Sequence, residues 1–330
     1  MTHDTAPRIV RVSIPTPFPV GPVNAYLVLG SSASLVDTGP NTAEAIDVLS
    51  TALAREGLRP ADLDQVVLTH AHADHVGLVA WLREQGAGPV RVHAQDRPAV
   101  EDPGGPHDQS LPGHVEVARR HGVPPKVVDE AMVFYAHILS VMRGAPAEEL
   151  DPGAPLKLGG APFRILETPG HSSGSVCYLH EATRTLLSGD MLLPTISTNS
   201  FFKGGAPDSR LGLVWFRRSL ASLVELAPAR VYPGHGAPFT DAGRVLAELR
   251  EAHRERQERI EEVFDAEGPL TAYDLSLRLF PEAAREGRWL AFAEVLGHLE
   301  VMEEDGRVRQ AGGRWVRSGV GDAPSPRAPA

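Results

Sequence analysis

At 330 residues the chain is too long for one small domain, and one large domain with a smaller module is the expected plan. Hydrophobic residues at 42% and charged residues at 22% describe an ordinary globular composition, and no run reaches the roughly 18 apolar residues of a membrane span. A formal net charge of -10 argues against a broad, non-specific nucleic-acid footprint while leaving room for a local basic groove, and the single Cys177 excludes an internal disulfide.

The start of the chain, residues 1–7, is polar and has no apolar run of the secretory kind, so no export and a cytoplasmic location are expected. Residues 9–13 and 24–29 read as strands around a Pro/Gly-rich turn, and 34–37 as a third. Residues 42–56 have helical periodicity with Gly57 as the stop; 65–69 is a short strand, 76–85 a helix and 90–93 another strand. This alternation is that of a layered α/β protein. Residues 98–155 break the rhythm: 98–112 reads as Gly/Pro-rich loop, then 115–121 and 127–142 as helices, together a helical insertion. It either adds packing or covers a pocket. Strands resume at 163–167, 175–179 and 185–188, followed by a helix over 211–226 and a strand over 230–232. From about residue 242 the composition changes. Three helices (244–264, 272–280, 289–304) precede a hairpin over 307–317 turning at Gly312-Gly313, the element order of a winged helix. The tail from 318, rich in Ala, Pro and Gly, is expected to be disordered.

The strongest chemical signal is T-H-A-H-A-D-H-V-G, Thr69 to Gly77, between a strand and a helix. On an extended segment His70 and His72 point the same way and converge on one ion, and the turn into the helix lets Asp74 and His75 face a second position. Neutral imidazole with carboxylate suits Zn2+, with Mn2+ or Fe2+ as alternatives. Three more segments complete such a site from strand ends: His171 in T-P-G-H-S-S-G, Asp190 in L-L-S-G-D-M, where a carboxylate can bridge two cations, and His235 in Y-P-G-H-G. Asp37, in L-V-D-T-G, either stabilises its turn or accepts a hydrogen bond beside the metals and orients a ligand; the second is favoured here. Of the remaining histidines only His93 and His137 are expected near a pocket, and Cys177 reads as a small buried hydrophobe.

Taken in this order, L-V-D-T-G, T-H-A-H-A-D-H, T-P-G-H, S-G-D and Y-P-G-H-G resemble the five motifs of the metallo-β-lactamase superfamily. The resemblance covers about residues 10–241 and implies a four-layer αββα sandwich, residues 1–243, with the site at one sheet edge. It implies that His70, His72 and His171 hold one metal, that Asp74, His75 and His235 hold the other, and that Asp190 bridges them. Asp190, where the secreted β-lactamases use a cysteine at the second metal, places the chain nearer the branch of hydroxyacylglutathione hydrolases, lactonases and RNA-processing nucleases. Residues 244–317 resemble the C-terminal winged helix of β-lactamase-like endoribonucleases. That stretch holds twelve Arg and no Lys against sixteen acidic residues, so packing or dimerisation is favoured over nucleic-acid binding.

Two divalent cations, Zn2+ first, imply a bridging hydroxide that attacks a polarised carbonyl, with Asp74 and Asp37 as the working carboxylates. The expected substrate is a small ester, thioester or lactone. Phe134, Tyr135, Met142, Phe201 and Phe202 offer apolar walls along the insertion and residues 192–203. The alternatives are a single-stranded RNA endonuclease and, third, a mononuclear iron persulfide oxygenase. No membrane partner is expected, and a homo-oligomer is allowed.

Overall fold

The sheets are organised by strands whose residues alternate between two sides, as in Val23–Leu29, where Tyr26 and Val28 face one core and Ala25 and Leu27 another. The computed structural model describes residues 7–105, 110–195, 212–283 and 287–319, the side chains of 110–113 excepted. The first sheet has the order β1 (Arg8–Ile14), β2 (Val23–Leu29), β3 (Ala33–Val36), β4 (Gln65–Val67), β5 (Val90–Val92), β6 (Ala147–Glu149), antiparallel as far as β3 and parallel from there on. The second runs β11 (Arg230–Pro233), β10 (Thr185–Gly189), β9 (Val176–His180), β8 (Ala161–Glu167), β7 (Leu156–Leu158), with only the β10–β11 pair parallel.

Side chains sort by parity into three cores. Tyr26, Val28, Val36 and Val67 meet Phe163, Ile165, Tyr178 and Leu187 between the sheets. Ala25, Leu27, Leu35 and Val66 point outward against α1 (Ala43–Arg55) and α3 (Val79–Glu84), through Leu49, Leu53 and Leu82. Cys177, Leu179 and Leu186 face α7 (Gly212–Glu225), through Leu213, Phe216 and Leu220. Each buried Leu or Val contributes about 1.5–3 kcal/mol, so this parity fixes the register of both sheets. The result is the expected helix–sheet–sheet–helix layering. In α1, Ala45, Leu49 and Leu53 form the buried stripe, and Thr42 caps the first turn by accepting from Ala45 N at 3.2 Å.

The chain differs from expectation in the short elements. The helix expected over 76–85 is two: α2 (Ala73–Val76) and α3. Leu78 N donates to Gly39 O (3.1 Å) and Thr38 Oγ1 (3.2 Å), so the β3–α1 loop takes the proton that would have continued the helix. The stretch expected as loop holds α4 (Arg97–Glu101), and the next helix, α5 (Ser110–Arg120), begins before residue 115. It is followed by α6 (Pro125–Ser140), and β6, inside the insertion, joins the first sheet as its edge.

Helices α8 (Ala242–Glu267), α9 (Ala272–Leu279) and α10 (Gly287–Glu304) precede a hairpin of β12 (Val308–Ala311) and β13 (Arg314–Arg317). Their core is shared: Val117, Ala118, Val127 and Val128 of α5–α6 pack with Ile260, Phe264, Leu275, Phe292, Leu296 and Trp315. The start of α8, Ala242, Val245 and Leu246, packs instead against the second sheet's helix. No helix among the described residues is long and apolar enough to cross a membrane.

Candidate metal centre

The motif residues lie at or past the C-terminal ends of strands, with Asp74 and His75 on the short helix α2 that follows β4, and the shared direction of those strands brings the ends to one edge. Asp37 follows β3, Thr69 and His70 follow β4, His171 follows β8, Asp190 follows β10 and His235 follows β11. Buried hydrogen bonds stitch the two sheets there. Tyr26 Oη donates to Pro233 O (2.6 Å), Asn24 Nδ2 to Pro233 O and Gly236 O (both 2.8 Å), and Tyr178 Oη to Leu68 O (2.6 Å).

All seven expected ligands come together. His70, His72 and His171 form one trio, His70, His75 and Asp190 a second, and Asp74, His75 and His235 a third; within each trio the donor atoms lie within 4.8 Å of one another. No other grouping of this kind occurs among the described residues. His70 Nε2 is 3.0 Å from His72 Nδ1. Asp190 stands between the outer trios. Its Oδ1 is 3.4 Å from His75 Nε2, and its Oδ2 is 3.6 Å from His171 Nε2 and 3.5 Å from His235 Nε2. Asp74 Oδ2 lies 3.2 Å from His235 Nε2. All are buried except the half-buried His72.

Asp37 sits beneath this cluster at a left-handed φ of 59°, a conformation Asp tolerates better than most residues. Its Oδ1 accepts from Thr69 N and its Oδ2 from Thr69 Oγ1, both at 2.8 Å, and Oδ2 also meets His75 Nδ1 at 2.9 Å. With Nδ1 so engaged, His75 Nε2 faces the cluster. Similarly, Pro22 O takes His235 Nδ1 at 2.9 Å and leaves Nε2 inward.

The electrostatics describe a site built for positive charge. Burial lowers His70 well below the usual imidazole value, with the neighbouring histidines adding to the effect. Burial also lowers His72, opposed by Asp74 and Asp190 and reinforced by His75 and by His114 on α5. Burial alone would lower His75 and His235, yet the charges of Asp190, Asp37 and Asp74 raise His75 well above that value, and hydrogen bonds to Asp190 and Asp74 raise His235 to about 9. Asp190 is held well below the carboxylate range by His75 and His235 despite its burial. Among the described residues His75 Nε2 is buried with no hydrogen-bond partner, Asp190 Oδ1 standing 3.4 Å away, an expensive arrangement for a polar nitrogen unless a cation takes its lone pair. The donor set of imidazoles and carboxylates therefore fits divalent metal.

Other sequence expectations resolve as follows. Cys177 is buried with its thiol pushed up to about 12 by desolvation, and donates to Ser188 O at 3.4 Å. His93 pairs with Glu167 at 3.0 Å, and the His137 ring meets Phe18 edge-on at 6.4 Å. Phe134, Tyr135 and Met142 are half-buried, whereas Phe201, Phe202 and most of 192–203 lie outside the described residues. Sequence reasoning passed over His114, which acts on His72, and Asp96, which bonds both loops that carry the first trio. Neither stands in a motif that would have marked it.

An αββα sandwich with a His/Asp cluster across its sheet edge defines a class, and comparison with known proteins names it. Residues 18–235 match the family model described as the metallo-beta-lactamase superfamily. The chain is 32% identical to a probable metallo-hydrolase of Bacillus subtilis over 305 residues, 91% of this chain and 94% of that protein. The crystal structure of a metallo-beta-lactamase family protein from Thermus thermophilus superposes with a TM-score of 0.78 at 31% identity, covering 94% of this chain and 98% of that one. An atrochrysone carboxyl ACP thioesterase of Cryptosporiopsis is 25% identical over 257 residues, 76% of this chain and 62% of that protein. The chain belongs to the metallo-β-lactamase superfamily.

Proposed function

We propose that this chain is a metal-dependent hydrolase of a small ester, thioester or lactone. The observation that carries the reading is the position of Asp190, within 3.4–3.6 Å of imidazole nitrogens from His75, His171 and His235, between two trios of donors. His70, His72 and His171 would hold one cation, Asp74, His75 and His235 the other, with Asp190 shared; Zn2+ is the first choice, then Mn2+ or Fe2+. When bound, such a pair supplies Lewis acidity that polarises a carbonyl and makes water acidic enough to attack near neutral pH. Asp37 holds the His75 ring in the orientation that turns Nε2 inward, and Asp74 orients the attacking water beside His235. The thioesterase relative supports an acyl substrate.

A nucleic-acid substrate is not favoured, since Arg244, Arg254, Arg278, Arg307 and Arg317 of the C-terminal elements are engaged with neighbouring carboxylates. The test is metal analysis of protein purified without added metal, with a parallel screen of thioesters, lactones and labelled single-stranded RNA. Two metals per chain and thioester or lactone turnover are expected. A single iron, or RNA cleavage alone, overturns the proposal. Asp190→Ala is expected to abolish hydrolysis and lower the metal content; full activity with unchanged metal refutes the shared-ligand assignment.

A further inference from the structure

One buried carboxylate outside the seven touches both loops that carry the first trio. Asp96 lies in the turn between β5 and α4, its N–H donating to His93 O at 3.0 Å. Its Oδ2 accepts from Ala71 N at 3.0 Å and from Ser172 Oγ at 2.7 Å, and its Oδ1 from Gly174 N at 2.8 Å. Ala71 separates His70 from His72, and Ser172 follows His171. The Ser172 hydroxyl is fixed in turn by Ser175 Oγ at 2.8 Å, and Ser172 N donates to that same oxygen at 2.9 Å. Gly174 completes the arrangement: a Cβ there would stand 2.6 Å from Asp96 Cγ, so the carboxylate occupies the space a side chain would need.

We propose that Asp96 is a positioning residue that ties the His70–His72 segment to the His171 turn and so sets the affinity of the first metal position. The inference rests on the metal reading above. Three donors drawn from two separate loops bind tightly only when the loops are held together before the ion arrives, because otherwise binding must also order them. Asp37 bonds Thr69 and His75 and does not reach the His171 turn. Asp96 spans the gap that Asp37 does not, its carboxyl accepting three hydrogen bonds from the two loops.

Asp96→Asn is nearly isosteric, but its amide NH2 must face either Gly174 N–H or Ala71 N–H, donor against donor. Zn2+ affinity, read by competition with a chromophoric chelator alongside thermal unfolding of the metal-free protein, separates the two positions. The unmodified chain is expected to take up two Zn2+, and the variant to keep one and bind the other roughly 10- to 100-fold more weakly. Two unchanged affinities overturn the proposal, and so does equal weakening of both, which a general structural defect would produce. Ser172→Ala removes one of the three bonds without disturbing the fold and is expected to weaken the same position about fivefold. Should Asp96→Asn fail to fold, this second variant decides, and unchanged Zn2+ binding in it refutes Asp96. If the unmodified chain takes up neither Zn2+, Mn2+ nor Fe2+, the metal reading falls and this one with it. If it takes up two and both variants match it, only the Asp96 assignment falls.

Discussion

Gly234 shows how tightly the metal-centre residues are packed. A Cβ at this position would stand 2.1 Å from Asp190 Oδ1 and 2.9 Å from His75 Cε1, so the glycine of Y-P-G-H-G is the absence of a side chain between two expected ligands. Gly234→Ala must displace one of them, and misplacing a reactive group by an ångström reduces turnover by about 100-fold. Hydrolysis and metal content should fall together while far-UV circular dichroism stays native; undiminished turnover would refute the crowding. At this scale the motifs were legible because each packs its chemistry into a few consecutive residues, as Thr69 to Gly77 does. Asp96 was not. In A-Q-D-R-P it has no local mark, and its partners lie at Ala71, Ser172 and Gly174, so its role exists only once the loops that follow β4, β5 and β8 have come together.

Among the elements, long ones with strong periodicity were read from sequence, including α1, α7, α8 and the strands whose residues alternate between two cores. Among the three-residue strands, β4 and β5 were read from sequence, whereas β6 (A-E-E) is an edge with two exposed glutamates and shows no apolar alternation. The break between α2 and α3 is a tertiary effect, made by hydrogen bonds to Thr38 and Gly39 that no window around Leu78 contains. Helices α8 and α10 carry a pH dependence of their own. Their buried His253 and His298 rings meet at 5.2 Å, facing Arg256 on α8 and Arg217 on α7. Burial, reinforced by those arginines, lowers His253 to about 4 and His298 well below the usual 6.5. Folded-state values below the unfolded one mean that the unfolded chain gains protons first as pH falls. Stability is therefore full above about 6.5 and declines as pH falls below it, the His253 share being lost between about 6.5 and 4 at about 1.4 kcal/mol per pH unit, with His298 acting in the same direction. Urea midpoints measured from pH 7.5 to 4.5 should show this slope, and His298→Leu should flatten it; parallel slopes for the two proteins would count against it.

Across the whole molecule, the insertion and the C-terminal elements fold as one body. Trp315 of β13 is fully buried, donates from Nε1 to His121 Nδ1 at 3.3 Å and stacks on that ring at 5.9 Å. Tyr273 N donates to His121 O at 3.2 Å, so the end of α5 is held by α9 and by the hairpin. Truncating such a side chain lowers stability by about 3–5 kcal/mol. Trp315→Ala should lower the urea midpoint and open α5–α6 to proteolysis together with the hairpin; cleavage confined to residues beyond 244 would argue for an independent tail. The shared core also sets the unit in which this protein can exchange parts with its relatives. Residues 110–140 cannot be grafted alone, because their apolar underside matches Ile260, Phe264, Phe292 and Trp315 from the far end of the chain. A chimera that exchanges the insertion must carry two stretches far apart in sequence, and natural drift in one must be answered in the other.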